Sequence, residues 1–299
     1  MTEQTINGIP FPMKELCDFS FLQAYGRVFQ VFAQNDSGNI SFGVSQGERR
    51  FFLKVAGAPT AYSCLSPAQA VENLRTALPL YQRLAHPSLI RLVEHFPQGE
   101  LYVAVFQWAE GDCLFDHWNF ERYAATGELS PGERFRRLPP AEKLAAFREV
   151  FAFLRHVEEQ GYAPVDLYDG SLLYDFAARR LTICDIDLFR QRPLRNTLGA
   201  DYPGTKRMKA PEEYQLGADI TPATAVFTVG ALLSSFFGRA SQQELQRAYR
   251  EERVLPCRRE TWQLSQGRYE ALCKAMEPNP SRRFPTVGDF WRAWEGEVG

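Results

Sequence analysis

Five aspartates stand within one short stretch, "VDLYDGSLLYDFAARRLTICDIDLF", from Val165 to Phe189, and three of them, Asp166, Asp185 and Asp187, lie at the outer ends of its two apolar runs. Asp166 precedes one apolar run, and Asp185 and Asp187 follow another. Residues 166–171 read as a turn, Leu172 to Tyr174 as a strand, Asp175 to Arg180 as a second turn, and Leu181 to Cys184 as a strand that pairs with the first. A hairpin of this form gathers these three acids at one end. Acids so gathered can ligate a hard divalent cation or take a proton from a hydroxyl; the same residues can also do no more than cap turns.

Composition limits the choice. The 299 residues, 45% hydrophobic and 23% charged, have a globular balance and length for about two domains. With 34 Lys and Arg against 36 Asp and Glu, the net charge of -2 gives no global field for nucleic acid or an acidic membrane. The six cysteines show no CxxC spacing, and the chain has no secretory leader and no long apolar run. The expectation is a reduced, cytoplasmic protein without a thiolate metal cage, a membrane partner or a nucleic-acid partner.

The elements that must position the acids fall into two unlike halves. "GRVFQVFAQNDSGNISFGVSQGERRFFLKVAG" alternates apolar and polar residues in three runs and predicts three antiparallel strands. Ser66, Pro67 and Gln69 form a helix start with a capping box, and Pro79 predicts a kink or reset in the helix that follows. "LIRLVEHFPQGELYVAVFQWAEGD" supplies two more strands around a turn at Pro97 to Glu100. Residues 116–140 are polar and aromatic with three prolines and read as an insertion. "AEKLAAFREVFAFLRHVEEQG" has helical periodicity and ends at Gly161. Trp291 and Trp294 read as packing for the last helix.

The order of these features resembles the protein kinase family over about residues 19–295. "FFLKVAG" is similar to the kinase strand whose lysine pairs with nucleotide phosphates, here Lys54. "GTKRMKAPEE" resembles the end of the kinase activation segment, with Gly204 and Thr205 ahead of Ala210, Pro211 and Glu212. "NPSRRFPTVGDF" is similar to the last-helix signature whose arginine, here Arg283, pairs with the APE glutamate. The resemblance implies an α+β, bilobal kinase-like fold: a five-stranded first lobe with one main helix, residues 1–108, and a mostly helical second lobe, residues 109–299. It implies ATP and Mg2+ (or Mn2+) as cofactors, with Asp166 orienting the acceptor hydroxyl and accepting its proton, and Asp185 holding the metal. Glu72 stands as the ion-pair partner of Lys54, Gly26 and Val28 as the end of a glycine-rich loop, and the connector from Val105 to Ala109 as the adenine edge.

Departures from the family pattern accompany each likeness. Pro164 and Val165 stand before Asp166 where HRD is expected, so the arginine that senses activation-loop phosphorylation is missing. Ser171 replaces the metal-binding asparagine, and Tyr168 replaces a phosphate-contacting lysine. Asp187 extends the DFG position and is a candidate to compensate as a ligand. Phe21 and Gln23 occupy two glycine positions, and Ala225 replaces the aspartate that braces the catalytic loop. Basic residues Arg190, Arg192, Arg195, Lys206, Arg207 and Lys209 read either as a channel for an acidic partner or as a solvated loop. Three functions stay open at this level. The first is a bacterial, eukaryotic-like serine/threonine protein kinase acting on a protein Ser or Thr. The others are a pseudokinase binding module and a small-molecule kinase of the aminoglycoside or choline type.

Overall fold

The computed structural model describes residues 1–35, 37–116 and 119–296. Asp36, in the turn expected between the first two strands, and His117 and Trp118, in the expected insertion, lie outside the described residues. The chain is a mixed α+β protein with eight α-helices and several sheets among the described residues. Its contacts divide it into two units, Met1–Glu110 and Gly111–Gly299. No helix among the described residues is long and apolar enough to cross a membrane.

The first unit opens with a hairpin, β1 (Thr2–Ile6) and β2 (Ile9–Met13), that sequence reading missed. Its signal was present: Asn7–Gly8 is a strong two-residue hairpin turn, and both residues adopt the left-handed backbone it needs. A five-stranded antiparallel sheet follows, in the order β3 (Arg27–Phe32), β4 (Asn39–Gln46), β5 (Arg49–Ala56), β7 (Leu101–Gln107), β6 (Leu92–Gln98). Side chains alternate between faces. Phe42, Val44, Leu53, Val55, Val103 and Val105 share one face, which Phe11 and Met13 of β2, together with Phe19 and Leu22, cover in a closed apolar core. The other face carries Lys54, Phe52, Ala104 and Phe106, and receives α1 (Pro67–Arg83), whose Tyr81 ring meets Phe106 edge-on at 4.9 Å. Ser66 caps α1 through the expected box with Gln69. Pro79 neither breaks nor restarts the helix, which runs as one element through Arg83.

In the second unit, α4 (Pro140–Glu159) and α5 (Pro222–Phe237) are the central helices. The stretch read as an insertion contributes α2 (Phe120–Thr126) and α3 (Pro131–Arg136), and α3 belongs to the core. Phe135 is fully buried and packs edge-on against Tyr174 at 4.8 Å and Phe236 at 5.0 Å, a burial that stabilises by about 1.5–3 kcal/mol. One apolar residue in a polar run was too weak a periodic signal to show this. Lys143, with no exposed surface, closes the arrangement: its ammonium donates to the carbonyls of Arg136 and Phe236 and to the Gln263 side chain. The remaining helices, α6 (Gln242–Glu251), α7 (Gln266–Ala275) and α8 (Val287–Glu295), complete the unit, with Trp294 buried and Trp291 against Phe151 at 4.8 Å.

Candidate functional site

The acids sit where short strands hold two loops together. β8 (Asp112–Cys113) pairs with β10 (Leu172–Asp175), which pairs with β11 (Arg180–Ile183), giving the expected hairpin. β9 (Tyr162–Ala163) precedes the Asp166 loop and pairs with β12 (Arg190–Gln191), just past Asp187. Buried apolar residues peg both loops. Val165 and Leu167 flank Asp166, and Ile186 lies between Asp185 and Asp187, each with 4% exposure or less. With alternate residues anchored in the core, the intervening carboxylates are turned out of it.

Asp166 and Asp185 both adopt left-handed backbone, at φ 58 and 57. Aspartate tolerates this region better than most residues, but each such position costs on the order of 1 kcal/mol and clusters at functional sites. The Asp166 carboxylate accepts two hydrogen bonds from Thr205, from its N–H at 2.8 Å and its hydroxyl at 3.0 Å. Burial pushes the Asp166 carboxyl up to about 6, the Thr205 bonds pull it back, and the charge of Asp185 raises it further. Asp166 and Asp185 therefore sense one another.

Tyr168 fills the space beside them. Its ring lies across Gly170, where an added Cβ would come within 2.3 Å of it, and meets Phe115 edge-on at 6.3 Å. Burial is the largest cause raising its phenol above the ordinary range, with Asp185 next, so it stays a neutral hydroxyl. Gly170→Ala is expected to displace this ring and destabilise the second unit by about 1–3 kcal/mol, read as a lower denaturation midpoint.

A second acid, Asp169, is 2% exposed and forms a forked pair with Arg207, at 2.7 and 2.9 Å, while that guanidinium lies 3.9 Å over the Phe115 ring. Sequence reading passed over Asp169, because its partner is 38 residues away and nothing local marks the pair. The other cations read as a channel are also engaged: Arg195 with Asp219, Lys206 with Glu252, Arg190 with the Asp187 carbonyl and Arg192 with the Glu158 carbonyl. Lys209 is buried and donates to the Ala200 and Tyr202 carbonyls. An acidic partner would have to compete with these contacts.

Glu212 and Arg283 form the expected pair, forked at 2.7 and 2.8 Å and buried. The remaining Arg283 donors reach the carbonyls of Glu277, Ala223 and Pro278. Beside it, burial pushes Glu213 up to about 8, with its carboxylate accepting the Ala210 N–H at 2.7 Å. Asn196, wholly buried, ties the segment further by accepting from Leu198 and Gly199 and donating to the Gly199 carbonyl. Where Ala225 removes the expected brace, a cavity of about 10 Å³ remains beside Ala163 and Pro164. There the β9–β12 pairing and the Arg192 N–H to Gly161 carbonyl bond, at 2.8 Å, hold the loop.

Four expected site residues are placed differently. Glu72 is exposed, with its carboxylate on Arg75 at 2.7 Å and on the Thr76 hydroxyl, and these neighbours hold it below the usual carboxylate range; the structure does not direct it to Lys54. Gly26 lies at the sheet end near Ser45, two strands across from β5 and four residues along it from Lys54, a separation of about 16 Å. It is required there by close strand approach, since a Cβ would stand 2.1 Å from the Ser45 carbonyl oxygen. Val28 is 2% exposed on the face opposite Lys54. Val105 is core, mid-strand between Leu53 and Glu94; only Ala109, half-buried past the strand end, lies outside that ladder.

For a divalent cation, Asp185 is exposed and Asp187 half-buried, two hard carboxylates separated by one pegged residue. Among the described residues no three His, Cys, Asp or Glu side chains form a metal cage. The donor set suits Mg2+, which takes one or two carboxylates and completes its shell with water and phosphate oxygens. Ser171 does not extend it: its hydroxyl is wholly buried and has no hydrogen-bond partner among the described residues.

No protein-family model matches the chain, and no curated protein matches it.

Proposed function

We propose that the protein is an ATP-dependent phosphotransferase of the bilobal, protein kinase-like class, and most directly a serine/threonine protein kinase. The observation that carries this is the Asp166–Asp185 pair: two strained, pegged carboxylates in electrostatic contact, with Asp166 held by Thr205. The first unit supports it, with its antiparallel sheet carrying Lys54 on a central strand and α1 inserted between β5 and β6. Phosphoryl transfer needs positioning and charge neutralisation more than covalent chemistry.

The chain's residues divide the work. Asp166, raised to about 6 yet ionised at neutral pH, accepts the proton of a Ser or Thr hydroxyl. Thr205 fixes its orientation. Asp185 and Asp187 would hold Mg2+ (or Mn2+), which when bound supplies positive charge to phosphate oxygens, and Lys54 would contribute a further positive charge to the phosphates. The Glu212–Arg283 pair fixes the segment that carries Thr205.

A binding module without transfer is the second reading, favoured by the buried Ser171 hydroxyl and by Tyr168 standing in place of a cation. Labelled ATP with Mg2+ or Mn2+, followed into protein, generic peptides, small alcohols and free phosphate, separates the cases. Label in a Ser or Thr hydroxyl supports the protein kinase; label in a small alcohol moves the assignment to a small-molecule kinase. A nucleotide-dependent rise in melting temperature with no transfer to any acceptor favours the binding module. If transfer occurs, kcat/KM, which reports the free protein, is expected to rise with pH through a midpoint close to 6 as Asp166 ionises. A flat profile between pH 5 and 8 would remove Asp166 from the role of base.

A further inference from the structure

The hairpin β1–β2 has two outer edges, and only one is disarmed. Its loop, Asn7–Gly8, has φ 51 and 86, the type I′ geometry whose closing pair, Ile6–Ile9, is hydrogen-bonded. Pairs then alternate, so Gln4–Phe11 and Thr2–Met13 bond across the hairpin, while Glu3–Pro12 and Thr5–Pro10 point their backbone groups outward. On β2 those outward residues are prolines, which have no N–H to offer, and Met13 bridges Thr60. The five-stranded sheet is also protected: β3 carries a bulge between Val28 and Gln30, and β6 has a bulge between Leu92 and Glu94 together with Pro97. Glu3 and Thr5 are exposed, and their outward N–H groups meet no partner among the described residues.

Beside this edge lies a cavity of about 330 Å³, between residues 4–7 and the segment from Cys17 to Val28. That volume falls at the lower end of the range for binding clefts. The Gln4 amide ties one end, bonding the Cys17 backbone at 2.6 and 3.1 Å, and Asn7 ties the other by accepting the Val28 N–H at 2.8 Å. Phe19, Leu22 and Val28 give it a buried apolar floor. Asp18 places an exposed carboxylate in the lining and Glu3 a second on the neighbouring β1 strand, against an exposed cation, Arg27, between the lining residues Gly26 and Val28; the Lys14 ammonium is turned to the Ser63 carbonyl at 2.6 Å. Bonds from Ser20 hold Asp18 below the usual carboxylate range, so it stays charged.

We propose that the β1 edge and this cavity form a docking groove for an extended, basic segment of a partner protein. The segment adds as a third strand to the hairpin, pairs with Glu3 and Thr5, and sets an apolar side chain into the cavity. The groove belongs to the first unit alone, and its use does not depend on phosphate transfer.

The test uses the full chain and seven-residue peptides that alternate Lys or Arg with Val or Ile. A matched set is N-methylated at alternate backbone nitrogens, which keeps charge and apolar content but prevents strand pairing. Unmethylated peptides are expected to bind saturably and to slow hydrogen exchange at the Glu3 and Thr5 amides. Thr5→Pro, which copies the device β2 already uses, is expected to weaken binding by about tenfold or more through lost backbone pairing. Asp18→Asn is expected to weaken it at low salt. Equal binding by the methylated set, parent-like binding by a folded Thr5→Pro protein, or no binding below millimolar concentration overturns the proposal. So does self-association that peptides fail to displace. If Thr5→Pro does not fold, the methylation contrast and the exchange at Thr5 in the parent decide the same question.

Discussion

An Asp166→Asn protein is expected to lose phosphate transfer from ATP by about a hundred- to ten-thousandfold, the usual weight of a positioned general base, while melting at or above the parent temperature. The two halves of that expectation have one origin. Asparagine keeps the side-chain oxygen that accepts from the Thr205 N–H and hydroxyl, so the loop keeps its orientation. It removes a carboxylate that burial disfavours and that Asp185 repels. Ionised Asp166 thus costs the fold something, and removing the charge relieves that cost while deleting the proton acceptor. Transfer rates with labelled ATP and thermal melts of the same preparations give both numbers. A variant that transfers at the parent rate would dismiss Asp166 as the base; one that melts well below the parent would make it a structural residue instead.

Arg283→Met is expected to destabilise the second unit by about 3–5 kcal/mol, the cost of leaving a buried charge without its partner. Glu212 would keep a buried carboxylate, and the carbonyls of Glu277, Ala223 and Pro278 would lose their donor. Adding Glu212→Leu to the same protein is expected to recover part of the loss, because the stranded charge goes with it. Denaturant titration of the single and double variants measures this coupling. The exposed pair Glu72–Arg75 is the internal control: its removal is expected to change stability by no more than about 1 kcal/mol. Equal costs for the two pairs would mean that Arg283 is not held as described.

How far the sequence revealed these features depended on how local their causes are. The β10–β11 hairpin and the Ser66 cap were legible because alternation and capping act over a few residues. Arg283 and Glu212 were legible only through a resemblance in motif order, since 71 residues separate them and neither has a local signal. Glu72 misled because residue type does not say toward which neighbour a helix turns a carboxylate; Arg75, one turn on, was the nearer cation. Gly26 misled for a different reason. A left-handed glycine marks close backbone approach but not what approaches, and here it is the Ser45 carbonyl of a neighbouring strand. The pairing of Asp169 with Arg207 had no sequence signal at all.

The hairpin that covers the apolar face of the first unit also governs how the protein can be handled. Phe11 and Met13 are 4% and 0% exposed, and the valines, Phe42 and Leu53 beneath them belong to the same closed core. Shortened forms that begin at the start of the sheet, near Arg27, would leave that face wet along its whole width. A surface of this kind drives self-association more readily than unfolding. Such forms would report poor yield and turbidity, symptoms easily blamed on an expression host, when the missing part is the 26-residue cover that precedes Arg27, the hairpin together with Phe19 and Leu22.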